Sequence, residues 1–113
     1  MLVSVPEYAG ALPGSFKNVL DWAVGDDQPG SLNGKPVAWI NVSPRGAVHA
    51  HESLRRVFGY VGAVVVESAC VALTLTPVDV GESGLIASVR IRAQLTPAFD
   101  ALLGAIRSRA GMT

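Results

Sequence analysis

A single cysteine, Cys70, is present among 113 residues, which excludes an intramolecular disulfide framework. Neither charge sign is in excess, because nine Lys and Arg balance nine Asp and Glu. That balance argues against nucleic-acid binding, which leaves a clustered surplus of Lys and Arg to neutralise phosphates. It argues equally against a polybasic membrane patch. Charge is scarce altogether, at 16% of residues against a usual ~25%. No run of ~18 uninterrupted apolar residues exists; the greasiest stretch, residues 61–75, carries Glu67 and Ser68 in its middle. A membrane span is not expected. With no signal peptide ahead of the first structural segment, the expected address is the cytoplasm.

What the chain does have is apolar surface. Hydrophobic residues make up 50% and the mean hydropathy is +0.39, enough to offset chain entropy and exclude disorder. The length implies one domain spanning residues 1–113.

Leu2-Val3-Ser4-Val5-Pro6 follows Met1 directly and reads as a strand covered on both faces, as in a parallel sheet. A strand of this kind needs neighbours on both edges. The chain is therefore expected to continue a segment that came before it, or to borrow a neighbour from a second subunit. Phe16, Val19, Leu20 and Ala23 recur with helical spacing and predict a helix over residues 15–24, stopped by Gly25. Lys17 and Asp21 can pair on its outer face. Residues 26–34 are loop by composition, and residues 36–42 read as a second buried strand. A second helix is expected over residues 47–60, with Ala47, Ala50, Leu54, Val57, Phe58 and Val61 as its stripe and Gly62 as its end.

Residues 63–66 form a third, β-branched strand, and residues 69–78 read as a short strand or extended segment. A turn at residues 81–84 precedes a helix over residues 88–110. Its apolar side is Val89, Ile91, Leu95, Phe99, Leu102, Leu103 and Ile106, and Pro97 should kink it or restart it behind Thr96. Strands alternating with helices imply right-handed crossovers and a parallel sheet.

Several motifs fail on their chemistry. Gly30-Ser31-Leu32-Asn33-Gly34-Lys35 resembles a phosphate-cradling loop, but its glycines are one residue too close, and Pro36 stands where a magnesium-binding hydroxyl is needed. His49, His51 and Glu52 suggest a metal site. A helical i, i+2 pair diverges, however, and Arg55 holds the place of a second helical ligand; exposed or loop-facing histidines and no metal are expected. Cys70 lies in apolar sequence and reads as an inert buried thiol. Gly59-Tyr60-Val61-Gly62 reads as a helix end, not an RNA-clamping loop.

Two loops remain, Pro6-Glu7-Tyr8-Ala9-Gly10 and Ser43-Pro44-Arg45-Gly46, each leaving the carboxyl end of a buried strand. Ligands of open α/β sheets bind in crevices at those ends. If the strands are neighbours, main-chain N–H groups of both loops can face the edge of a flat heteroaromatic ring, with Gly10 and Gly46 permitting close approach. Ordinary connecting loops would carry the same residues.

The stretch from Pro6-Glu7-Tyr8 through Pro13 to Lys17-Asn18 and Asp21-Trp22 resembles the P-E-Y-N-x-x-x-P-x-x-x-K-N-x-x-D-W signature of NADPH-dependent FMN reductases. Gly34-Lys35-Pro36-Val37-Ala38 and the Ser-Pro-x-Gly turn resemble that family's next strand and loop. The resemblance implies a flavodoxin-like α/β fold, a parallel sheet with flanking helices. It implies FMN as cofactor, NADPH or NADH as co-substrate and a small-molecule electron acceptor. By the same resemblance Pro6, Glu7, Tyr8, Ala9 and Gly10 line the flavin through main-chain groups, with Tyr8 beside it, while Ser43, Pro44, Arg45 and Gly46 close the other side. Lys17, Asn18, Asp21 and Trp22 read as helix-packing and capping residues. No catalytic side chain is implied, since hydride passes between stacked rings and the protein orients them.

Two departures qualify the likeness. Ala9 replaces the signature Asn, and the family's first βαβα portion, with the loop that holds the FMN phosphate at a helix N-terminus, is absent. Loss of those contacts predicts FMN binding weaker by about a thousandfold or more for this chain alone. It also predicts an open edge at residues 2–5 that favours a homo-oligomer. The contrasting expectation is a truncated, non-enzymatic relic or self-pairing module. A third is a flavin electron carrier without NADPH specificity.

Overall fold

The structure, a computed structural model, describes residues 1–23, 31–43 and 46–111. Its elements follow in the order β1 (Leu2–Val3), α1 (Gly14–Trp22), β2 (Pro36–Val42), α2 (Val48–Tyr60), β3 (Val64–Val65), β4 (Val71–Leu73) and α3 (Val89–Gly111). Short 3₁₀ turns occupy Glu67–Ala69 and Pro77–Asp79. The expected parallel sheet is present. β2 forms its centre, with β1 on one side, Leu2 opposite Ala38, and β3 on the other, Pro36 opposite Val64. β4 continues along the β3 side of β2, with Ile40 opposite Val71.

β2 is apolar apart from Asn41 because helices cover both its faces, as a parallel strand requires. Alternate residues Val37 and Trp39 point toward α1 and α2, where they pack with Leu20, Leu54 and Phe58. The Trp39 and Phe58 rings stack at 6.3 Å, and Phe16 meets Phe58 edge-on at 6.5 Å. Ala38 faces the opposite layer, against Ala98 and Leu102 of α3.

Several expectations change. The first strand is shorter than expected, and among the described residues it has a neighbour on one side only; Val5 is buried while Leu2 and Ser4 are exposed. The α1 stripe is half right, since Leu20 is buried but Val19 is exposed. Its expected end at Val24 and Gly25, and the loop at residues 26–30, lie outside the described residues. Trp22 does not pack, being 84% exposed, and no side chain of the signature caps α1, whose preceding residue is Pro13. Lys17 and Asp21 do pair, at 2.6 Å on the surface.

α2 begins one residue later than expected and ends as expected: Gly62 takes a positive φ of 80° and the amide of Ala63 bonds the carbonyl of Phe58. α3 runs through Pro97 as one continuous helix, so of the two outcomes expected there, a kink or a restart, the restart does not occur. The Thr96 hydroxyl donates to the Arg92 carbonyl within the helix and does not cap a new one. Val89 is exposed, and Ala98, outside the expected stripe, is buried.

Candidate functional site

Because β1 and β2 are adjacent and parallel, the loops that leave their carboxyl ends emerge on one rim of the sheet. Two side chains then tie these loops together. Asn41, one of two buried polar residues among those described, accepts a hydrogen bond from the Val5 amide through Oδ1 at 2.7 Å. This fixes the chain leaving β1 against the end of β2. Glu7, half-buried, accepts a 2.9 Å hydrogen bond from the Ala50 amide in the first turn of α2. A carboxylate there also meets the positive end of the helix dipole.

The first loop is a tight turn. Tyr8 and Ala11 exchange both backbone hydrogen bonds, at 2.9 and 3.0 Å, around Ala9 and Gly10. Both central residues have positive φ, 50° and 77°, as a type I′ turn demands. Gly10 pays no steric penalty there, whereas Ala9 is strained, since an L side chain in this region crowds its own carbonyl. Pro6, Tyr8, Ala9 and Gly10 are exposed, with Tyr8 at 63%. Beside them Val5, Pro6, Tyr8, Pro13, Phe16 and Val19 line a mainly apolar hollow of about 360 Å³.

At the second loop only the two ends, Ser43 and Gly46, are described. Gly46 donates to the Ser43 carbonyl at 3.3 Å, and Gly46 and Ala47 follow with φ of 81° and 50°. Ser43 is held from the β4 side as well, its amide donating to the Leu73 carbonyl at 2.9 Å and its carbonyl receiving the Thr74 hydroxyl at 3.5 Å. Pro44 and Arg45 lie outside the described residues. A Cβ added at Gly10 would meet nothing within 4 Å, and one at Gly46 would meet only Val48 Cγ2 at 3.9 Å. At Gly10 and Gly46 the backbone is therefore open to close approach.

Below the turns lies a polar patch in an apolar layer. His51 is buried, which corrects the expectation of two exposed or loop-facing histidines; only His49 is exposed, 3.7 Å from Glu52. The divergence of the pair did follow from i, i+2 spacing. The His51 ring tilts against Trp39 at 5.7 Å. Burial, reinforced by nearby Arg55 and opposed by Glu7, lowers its pKa and so favours the neutral imidazole. Arg55 in turn lies 5.3 Å from the Trp39 ring centre and holds Glu67 through two nitrogens, at 2.9 and 3.1 Å. That bond holds the Glu67 carboxyl below its ordinary range. Cys70 is half-buried, and burial pushes its thiol pKa up, as suits an inert thiol.

Among the described residues no group of three or more His, Cys, Asp or Glu gathers as a metal site, and no helix is long and apolar enough to cross a membrane. Sequence reasoning missed the role of Asn41 and the left-handed cap position of Ala47, and it missed that Glu7 acts through its side chain. Signals existed for two of them: Asn41 is a lone amide in an apolar strand, and the approach to α2, Gly46-Ala47-Val48, contains no residue able to cap a helix.

The chain is 30% identical over 111 residues to a 2-hydroxy-1,4-benzoquinone reductase of a Burkholderia species, covering 96% of this chain and 61% of that protein. Its fold matches the flavodoxin-like FerB, a flavoenzyme NAD(P)H:(acceptor) oxidoreductase from Paracoccus denitrificans, with a TM-score of 0.83 and 28% identity, covering 95% of this chain and 60% of that one. The chain thus spans about three fifths of the length of these relatives. Residues 1–77 match NADPH-dependent FMN reductase, and the chain belongs to that family.

Proposed function

We propose that this chain supplies the ring-binding rim of an NAD(P)H-dependent FMN oxidoreductase of the quinone reductase type. Pro6, Glu7, Tyr8, Ala9 and Gly10 would hold one edge of the isoalloxazine through main-chain groups, and Ser43, Pro44, Arg45 and Gly46 the other. The observation that carries this reading is the pairing of the two turns on one rim, joined by the bond from the Ala50 amide to Glu7. The residues present fit a flat polar-edged ring: both turns have open backbone at a glycine, and Tyr8 stands exposed over an apolar hollow.

When bound, the flavin supplies hydride transfer between NAD(P)H and a small acceptor. The protein's share is orientation. Asn41 and Glu7 hold the turns in place, the glycines let main chain approach, and the apolar hollow offers a surface for the face of the ring. No side chain on this rim is needed as acid or base.

The test is optical. FMN added to the purified chain should lose fluorescence with a saturable dissociation constant, and anaerobic NADPH should then bleach the flavin band. Absence of saturable binding overturns the reading for this chain alone; binding without bleaching by NADPH points to an electron carrier. We place the protein in the cytoplasm by the same reading.

A second reading, self-pairing into a homo-oligomer, draws on the open edge of β1. Among the described residues that edge has no partner, and Leu2, Val42 and Phe99, all about half exposed, line an apolar groove of about 350 Å³ beside it. Light scattering should then give at least twice the 11.7 kDa chain mass. A monomer at micromolar concentration removes it.

A further inference from the structure

We infer that Glu7 is a positioning residue: its side chain holds the second turn in register with the first, and it is not merely part of the backbone lining. The consequence for ligand binding rests on the proposed flavin site, but the clamp itself does not. Three observations carry it. The N-cap position of α2 is Ala47, which has no side-chain acceptor, and the first turn of the helix contains no acidic residue. The Ala50 amide is one of the first-turn N–H groups that no helical carbonyl can reach. The acceptor it finds is Glu7 Oε1, at 2.9 Å and 43 positions earlier in the chain.

A local cap would have stabilised α2 equally well. A remote one does something further, because Glu7 is itself anchored within the first loop, between the Val5–Asn41 bond and the Tyr8–Ala11 turn. The start of α2, and with it Gly46 and the Ser43 turn, is therefore placed by the first loop. Gly46 and Ala47 both sit at positive φ, a conformation an untethered alanine would tend to leave. The Glu7 carboxylate thus holds the α2 side of the second turn, while Leu73 and Thr74 hold its Ser43 side.

The experiment compares the 113-residue chain with Glu7→Ala and Glu7→Gln. Glutamine keeps an acceptor oxygen and alanine does not. In the flavin-free proteins, hydrogen–deuterium exchange over residues 46–51 should speed up in Glu7→Ala and stay near the parent rate in Glu7→Gln. FMN titration should show affinity reduced about tenfold or more in Glu7→Ala and within about threefold of the parent in Glu7→Gln. Unchanged exchange in a folded Glu7→Ala overturns the clamp. Faster exchange with unchanged FMN affinity overturns its positioning role. If Glu7→Ala fails to fold, Glu7→Gln decides: faster exchange over residues 46–51 than in the parent overturns the inference, and the parent rate upholds it. If the parent itself does not bind FMN, the proposed function fails while the exchange comparison still judges the clamp.

Discussion

The side-chain oxygen of Asn41 receives the Val5 amide 2.7 Å away, across 36 positions of sequence, at a point where both residues are buried. β1 has already ended at Val3, so this side chain replaces the strand partner that the Val5 amide would otherwise lack.

Asn41→Ala should therefore cost about 2 kcal/mol or more, the sum of a stranded buried amide and a small void. Urea unfolding followed by Trp fluorescence measures it. A loss under about 0.5 kcal/mol would mean that Val5 finds another acceptor.

Ala9 lies at φ 50° in a turn whose two central residues must both be left-handed. Ala9→Asn, which restores the residue of the family signature, should stabilise the chain by about 1 kcal/mol. Ala9→Gly should gain less, because glycine also loosens the unfolded chain. The order Asn above Gly above Ala in unfolding midpoint is the result to look for.

Gly62 and Gly84 share nearly the same φ, 80° and 81°, but not the same surroundings. An added Cβ at Gly62 would come within 2.4 Å of Asn33 Oδ1, while at Gly84 it meets open space. Gly84→Ala should cost about 1–2 kcal/mol from backbone strain alone. Gly62→Ala should cost more, since Asn33 must also move. Equal losses would show that Asn33 swings away freely.

Burial and Arg55 depress the pKa of His51 in the folded chain. In the unfolded chain it titrates near its ordinary value of about 6.5. Between those values the unfolded state binds a proton that the folded state does not, so stability falls as pH drops below about 6.5 and levels off under the folded pKa. Above about 6.5 the imidazole is neutral in both states and contributes no slope. Glu67 and Asp79, both depressed, act at lower pH in the carboxylate range. His51→Gln should remove the slope that sets in below about pH 6.5 and leave the deeper acid limb intact; an unchanged slope would assign it to another group.

The sequence was most legible where one periodicity ran uninterrupted. Residues 36–42 and 47–60 declare β2 and α2 almost to the residue, because a strand buried on both faces and a striped helix each leave a single pattern. Residues 63–73 do not. The 3₁₀ turn at Glu67–Ala69 inserts three residues between β3 and β4, so Val65 pairs with Val37 but Val71 pairs with Ile40. An odd insertion exchanges the residues that face each layer, and no alternation of period two can survive it. At the site, the two loops were visible from their glycines and their position after strands. The bonds that join them were not, since each links residues about 40 positions apart: Asn41 belongs to no local motif, and the signature that contains Glu7 does not tell what its carboxylate binds.

The central place of β2 also bears on how the chain acquires its structure. β1, β3 and β4 each pair with it in parallel, and every such pair joins residues roughly thirty positions apart. Among the described residues no two strands of the sheet are joined by a hairpin that could form early and template the rest. Nucleation must wait for long stretches of chain to close on one greasy segment, a topology that refolds slowly and leaves that segment open to intermolecular capture meanwhile. Renaturation yield should accordingly fall as protein concentration rises, even under conditions where the finished fold is stable.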